Sequence, residues 1–220
     1  MNPVSGAAAS TVIALATSLV VAALGMLLFL NPVWVAFEQG RAQAPAWTGF
    51  SEAQLRPVTN AILADLVVGP PDFDAAVDGT PVLNERERGH MRDVRSVFAG
   101  FYGVAAVAAV VLLLAWLRRG DRRTFWRRIA RSGRAIAFGT VVVGGLGVLF
   151  FDAAFELFHR LFFPAGSYDF DPATERLVQL FPYQFWIETT VALGGVLVAA
   201  GLTLNWLGGR RAARASDLPQ

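Results

Sequence analysis

The sequence contains no cysteine and no lysine; its 19 basic residues are all arginine. Without cysteine the chain offers no disulfide framework, thiolate metal site, thiol nucleophile or lipidated cysteine of its own. Histidine occurs only at positions 90 and 159, so any imidazole chemistry falls on one or both of these residues. Charge is scarce as well. Charged residues make up 16% of the 220, against 55% hydrophobic, where an ordinary soluble domain is about a quarter charged. That shortage excludes a disordered chain and argues against a water-soluble globule. A bilayer protein is expected. No Walker pattern or dinucleotide fingerprint occurs, so the glycines are read as helix-packing sites and not as phosphate loops.

What is present is apolar length. From Asn2 to Phe37 no side chain is charged, and residues 7–30 as a helix would run about 36 Å, enough to cross a hydrocarbon core of roughly 30 Å. This stretch lacks the basic start, short apolar run and A-x-A site of a signal peptide, so it is expected to be retained as a span. Further spans are expected at 96–117, 135–158 and 184–207, the third continuing as helix past Asp152 and Glu156. The fold class is therefore all-α, a polytopic membrane protein of four transmembrane helices in one membrane domain.

Arginine placement orients it. Residues 118–134 hold eight arginines and one acid, and Arg210, Arg211 and Arg214 follow the last span. By the positive-inside rule 118–134 and 208–220 face the cytoplasm, with both termini inside. Segments 31–95 and 159–183 then lie outside. Counted from Asp152, the outer segments hold eight arginines and fourteen acids. The arginine run is read as topology and lipid-headgroup contact, with no nucleic-acid partner. Trp34, Trp116, Trp126, Trp186 and Trp206 fall near span ends, as interfacial belts require.

The first outer segment is too long for a simple loop. Ser51 and Gln54 have capping-box spacing, and Pro57 is expected to mark the first helical turn. Ala61, Ile62, Leu63, Leu66 and Val67 give an apolar helical face, and Pro70-Pro71 ends the run. This amphipathic helix is expected to lie flat on the outer surface with one side in lipid. A second outer helix is expected from about Asn84, feeding directly into the second span.

Two clusters carry chemistry. In Asn84–Phe98, Glu87 and Asp93 each lie three residues from His90, close enough on a helix to fix its tautomer and stabilise its protonated form. Arg92 and Arg95 sit at the same membrane entry point. In Phe151–Pro182, His159 lies among Phe155, Phe158, Phe162 and Phe163, with Glu156 three residues away. Both histidines map to the outer interface, where neighbouring antiparallel helices would bring them together. Glu188, one turn inside the fourth span, is an intramembrane carboxylate, read either as functional or as the partner of an arginine. Two other readings of these residues stay open: a haem held by both histidines, and a non-catalytic scaffold or accessory protein. A serine hydrolase lacks its G-x-S-x-G elbow, and Ser167 beside Tyr168 is a weak candidate.

The clusters resemble the lipoprotein intramolecular transacylase family of bacterial four-span membrane proteins. The matching pieces are Glu85-Arg86-Glu87, His90-Met91 and Asp93-Val94-Arg95, then Phe158-His159, Phe162-Phe163, Asp171-Pro172 and Phe181-Pro182. The resemblance implies transfer of the sn-2 acyl chain of a diacylglyceryl-modified lipoprotein to the α-amino group of its N-terminal cysteine, giving an N-acyl lyso-form. His90 and His159 would be the catalytic pair, His159 as base and His90 as polarising or proton-donating partner. Glu87, Asp93, Arg95 and Glu156 would orient or support them. Turning an ester into a more stable amide needs no cofactor and no metal. The expected partners are the lipoprotein substrate and membrane lipid, and the expected location is the outer face of the bacterial cytoplasmic membrane.

Overall fold

A computed structural model describes residues 3–118 and 121–215. Ten α-helices, one π-helical turn and one two-stranded hairpin make up the regular structure among these residues. Four helical stretches are long and apolar enough to cross a membrane: Gly6–Leu27, Glu85–Leu117, Arg122–Leu149 and Tyr183–Arg214. The chain divides into two compact units, one of residues 1–26, 101–146 and 192–220, the other of residues 27–100 and 147–191.

The first unit takes most of α1 (Pro3–Leu27), the apolar part of α5 (Glu85–Leu117), α6 (Arg122–Gly139) and most of α10 (Tyr183–Arg214). Small residues let α6 and α10 touch backbone to backbone. A Cβ built on Gly133 would stand 2.4 Å from the Gly201 carbonyl oxygen, and one on Gly201 would stand 2.7 Å from that of Gly133. Ile13, Phe125 and Ile129 form a buried cluster in the same unit, joined by Leu112 and Leu204.

The third expected span differs from the structure at both ends. Its helix starts at Arg122, capped by the Asp121 carboxylate, which accepts the Arg123 N–H. It widens to a π-helical turn at Thr140–Gly144, resumes as α7 (Gly145–Leu149) and breaks at Phe150 (φ −119°, ψ 44°) before α8 (Phe151–Phe162). The three β-branched valines at 141–143 lose χ1 freedom against the preceding turn, and the glycines at 144, 145 and 147 weaken helix locally. The stretch 135–158 is therefore not one continuous helix.

The second unit is built on short helices. Asn31 caps α2 (Pro32–Arg41) by accepting the N–H groups of Val33 and Trp34, with Pro32 at the first helical position, where no N–H is needed. After α3 (Ala44–Thr48), α4 (Glu52–Val67) opens with the expected capping box of Ser51 and Gln54. Pro57 lies in its second turn and not its first. Much of the apolar face of α4 packs on protein: Leu55, Val58, Ile62 and Leu66 enter the largest core cluster, with Phe73, Leu83, Met91 and Leu180, while Val67 is exposed. Each large side chain so buried contributes about 1.5–3 kcal/mol. Strands β1 (Ala76–Val77) and β2 (Thr80–Pro81) pair antiparallel about Asp78 and Gly79, both at positive φ. The helix expected from about Asn84 is present as the start of α5, and α9 (Arg176–Leu180) precedes the start of α10.

Candidate active site at the histidine pair

His90 lies on the second turn of α5, among seven charged residues between Glu85 and Arg95 and ahead of the apolar stretch that begins at Ser96. Glu87, three residues before it, is 1% exposed but turns away from the imidazole. Its Oε2 accepts the Asn84 N–H at 2.7 Å, while Asn84 Oδ1 accepts the Glu87 N–H at 3.0 Å, a reciprocal cap on α5. Its Oε1 accepts the N–H of Leu177, at the start of α9, at 2.6 Å. One buried carboxylate thus serves the free N–H groups of two helices. Arg95 likewise leaves the histidine alone: its guanidinium donates to the carbonyls of Asp65 and Gly69, tying α5 to the end of α4. Asp93 makes no hydrogen bond to His90, but its charge is felt there.

His159 sits near the end of α8. Its Nδ1 lies 2.7 Å from the carbonyl oxygen of Phe155, one turn back. A carbonyl oxygen can only accept, so Nδ1 carries the hydrogen, and in the neutral ring Nε2 holds the free lone pair. The group that fixes this ring is a backbone carbonyl and not Glu156. Glu156 pairs with Arg160 at 2.6 Å and accepts at 3.5 Å from the hydroxyl of Tyr168, whose ring lies 5.0 Å from that of His159.

The two imidazoles come together. Their centroids are 6.0 Å apart and their planes 20° from parallel. Both are largely buried, 7% and 8% exposed. Phe163 contacts both rings, at 4.7 Å and 5.4 Å. Phe170 stands 5.4 Å from His90, and Phe155 4.2 Å from His159. Burial first, then the nearby His159, pushes His90 down to about 4, with Asp93 opposing. His90 is therefore neutral near pH 7. Its Nδ1 is buried without a hydrogen-bond partner among the described residues.

Sequence reasoning missed the segment that closes over the pair. Arg86 donates to both oxygens of Glu175 (2.6 and 2.7 Å) and to the carbonyls of Gly166 and Asp169 (3.2 and 2.9 Å), and lies 4.5 Å over the Phe170 ring. These contacts hold residues 166–175, with Tyr168 and Phe170, against the histidines. No local pattern signals them, because each partner is some eighty residues or more from Arg86 in sequence.

Glu188 does find an arginine. Arg41 donates to it at 2.5 Å and Gln184 at 2.6 Å. Beside it Glu38, unremarked in the sequence reading, is 1% exposed, and its Oε1 has no partner among the described residues. Burial foremost, with the neighbouring Glu188 carboxylate, raises Glu38 to about 7, opposed by Arg41. Among the described residues no three histidine or acidic side chains converge as a metal site would require.

The fold has solved counterparts. The membrane-integral lipoprotein intramolecular transacylase Lit of Bacillus cereus superposes with a TM-score of 0.77 at 15% identity, covering 98% of this chain and 99% of that one. A second structure of that protein, with one histidine mutated to arginine, superposes at 0.74 and 14% identity, covering 96% and 94%. A third, with a histidine mutated to alanine, gives 0.74 at 14%, covering 96% of each. No curated protein sequence matches the chain significantly. The sequence profile of the family "Lipoprotein intramolecular transacylase Lit" matches residues 9–186. The chain therefore belongs to the Lit family of lipoprotein intramolecular transacylases, and is a multi-pass membrane acyltransferase.

Proposed function

We propose that this chain moves the sn-2 acyl chain of a diacylglyceryl-lipoprotein onto the α-amino group of the same molecule's N-terminal cysteine, with His90 and His159 as the catalytic residues. The observation that carries the reading is the ring of His159. It is held through Nδ1–H to Phe155, so that Nε2 is left as a free base in a phenylalanine-lined site shared with His90.

The amine nitrogen attacks the ester carbonyl and a C–N bond forms. His159 Nε2 takes the amine proton as general base. His90, neutral by burial, hydrogen-bonds the carbonyl oxygen where negative charge develops. The ester C–O bond then breaks, and the glycerol oxygen leaves with the proton returned from His159. Amine and ester belong to one substrate molecule. Well-oriented intramolecular reactions reach effective molarities of about 10⁵–10⁸ M, so the protein's main task is to fold the substrate and exclude water. The phenylalanines around both rings supply an apolar seat for acyl chains.

Glu87 and Arg86 are positioning residues, since they hold the segment that packs on the rings. Arg95 anchors α5, Asp93 tempers the loss of basicity at His90, and Glu156 supports His159 through Tyr168. The expected spans and the arginine-rich segments 118–134 and 208–220 put the site at the outer face of the cytoplasmic membrane, with both termini inside.

Mass spectrometry of lipoprotein N-terminal peptides tests the reading. Cells carrying the chain should show the N-acyl lyso-form. His90→Gln and His159→Gln should each lower its formation about 10²–10⁴-fold, with the protein still inserted at normal abundance. Unchanged acylation in either variant, or in cells lacking the chain, overturns it.

A further inference from the structure

A general base does not choose its nucleophile. Water attacking an ester beside the free Nε2 of His159 would give up a proton to it as an amine does. Something in the fold must therefore favour the amine, and the segment between α8 and α9 is placed to do so.

Residues 163–175 form neither helix nor strand. They turn twice: the Pro164 carbonyl accepts the Ser167 N–H, and the Asp171 carbonyl accepts the N–H groups of Thr174 and Glu175. One side is open to solvent, with residues 164–166, 169 and 171–174 exposed. The other side holds Phe163 against both imidazoles, the Tyr168 ring 5.0 Å from His159 and the Phe170 ring 5.4 Å from His90. The segment is thus a single layer of chain between solvent and two buried rings.

Its fastening is concentrated in one side chain. Arg86 donates to the Gly166 and Asp169 carbonyls, holds both carboxylate oxygens of Glu175 and lies over the Phe170 ring. Glu175 also accepts the Asp171 N–H at 2.7 Å, so the ion pair closes the second turn. The other polar ties are few. Tyr168 donates to Glu156 and Asn84 to Glu175, each at 3.5 Å, and Gln179 donates to the Pro172 carbonyl at 2.8 Å. A cover of this kind keeps water from intercepting the reactants beneath it.

Resting on the acyl-transfer reading, we infer that the strap of residues 163–175, fastened by Arg86, selects the amine over water, and that its release uncovers a latent ester-hydrolase activity at the histidine pair. In the uncovered reaction the oxygen of water attacks the sn-2 ester carbonyl and one of its protons passes to His159 Nε2. The ester C–O bond breaks, and the glycerol oxygen leaves with that proton. The products are a free fatty acid and a lyso-lipoprotein whose α-amine is unacylated. Arg86 is a positioning residue that acts through the strap on the choice of nucleophile.

The full-length protein, purified in detergent, is given two synthetic diacylglyceryl lipopeptides, one with a free α-amine and one N-acetylated at the same cysteine. Mass spectrometry measures the N-acyl lyso product, the hydrolysed lyso product and free fatty acid. Wild type should convert the free-amine peptide to the N-acyl lyso-form and leave the acetylated peptide intact. Arg86→Gln should raise the ratio of hydrolysed to N-acylated product by about tenfold or more, since small displacements of reacting groups erode the advantage of a held amine steeply. It should also release fatty acid from the acetylated peptide. Glu175→Gln, which leaves the Arg86 bonds to the two carbonyls in place, should raise the ratio less, and it carries the test where Arg86→Gln does not fold by circular dichroism. Adding His159→Gln to either variant should abolish hydrolysis, which ties that reaction to this site. An unchanged ratio in the folded variants, loss of both products in them, or hydrolysis that survives His159→Gln overturns the role of the strap. So does wild type that hydrolyses the acetylated peptide as fast as the variants do. Wild type that gives no N-acyl product overturns the acyl-transfer reading instead.

Discussion

Replacing Glu87 with alanine removes the acceptor of two backbone N–H groups at once. The carboxylate serves Asn84 at 2.7 Å and Leu177 at 2.6 Å, and the Leu177 bond is fully buried. A hydrogen bond to a charged group contributes about 1.5–3 kcal/mol, so Glu87→Ala should cost about 3–6 kcal/mol. Glu87→Gln keeps one carbonyl oxygen and turns an NH₂ towards the other donor, so it should cost about half as much. At about 2–4 °C per kcal/mol for a chain of this length, the melting midpoints in detergent should fall in the order wild type, Gln, Ala, with clear gaps between them. Transacylation should fall in the same order, because the Leu177 bond ties α9 and its preceding segment to the helix that carries His90. If Glu87 instead served His90 directly, the glutamine variant would shift the acid limb of the pH–rate profile. A Glu87→Ala protein with wild-type melting, or a Gln variant whose pH profile moves while its stability does not, refutes the capping argument.

Three further outcomes follow from the geometry. His90, at about 4 when folded and near 6.5 when unfolded, takes up its proton on unfolding across that interval. Its contribution to stability is complete above about pH 6.5 and is lost as pH falls through 4, by up to about 3 kcal/mol. The stability of wild type relative to His90→Gln should fall as pH is lowered from 7 to 4, and a difference that stays constant contradicts it. Glu38 has the opposite sign: raised to about 7, it stabilises below pH 4.5 and loses that contribution as pH rises through 7. Glu38→Gln should therefore raise the melting midpoint at pH 8 and leave it unchanged at pH 4, which thermal scans at both values will decide. Gly133→Ala would push a methyl group against the Gly201 carbonyl and the Asn205 N–H and should cost more than about 3 kcal/mol by overpacking. Gly139→Ala meets no atom within 4 Å and should be neutral or gain up to about 1 kcal/mol. Equal melting of the two glycine variants would contradict the close approach of α6 and α10.

The spans could be read from sequence because lipid imposes a one-dimensional rule: long stretches without charge. Each histidine could also be read as lying just beyond such a stretch. Their partners did not follow. A spacing of three residues puts Glu87 and Glu156 near their histidines but does not choose between an imidazole and a competing N–H or guanidinium. Asn84, Leu177 and Arg160 won that competition. The α4 face was visible as apolar, but apolar side chains pack equally well on lipid or protein, and only long-range contacts with Phe73 and Leu180 show which. Asp78-Gly79 is a dipeptide that favours a tight hairpin turn, and the short strands pair about it. Phe150 itself is neither proline nor glycine, and the glycines at 144, 145 and 147 before it are equally at home in a packed span, so the sequence does not locate the break.

The hydrogen bond from His159 to Phe155 has a bearing on proton traffic. A serine-protease-like triad sets a buried carboxylate behind its imidazole, which steadies the imidazolium. Here the acceptor behind the ring is an uncharged amide oxygen. On the proposed chemistry, an imidazolium formed mid-reaction would have no anion bonded behind it, and would therefore be short-lived. The hydrogen gained at the front nitrogen has one useful exit, back through that nitrogen to the departing alkoxide. Such an arrangement suits an exchange in which acceptor and leaving group never separate, and leaves little time for water to intercept the ester.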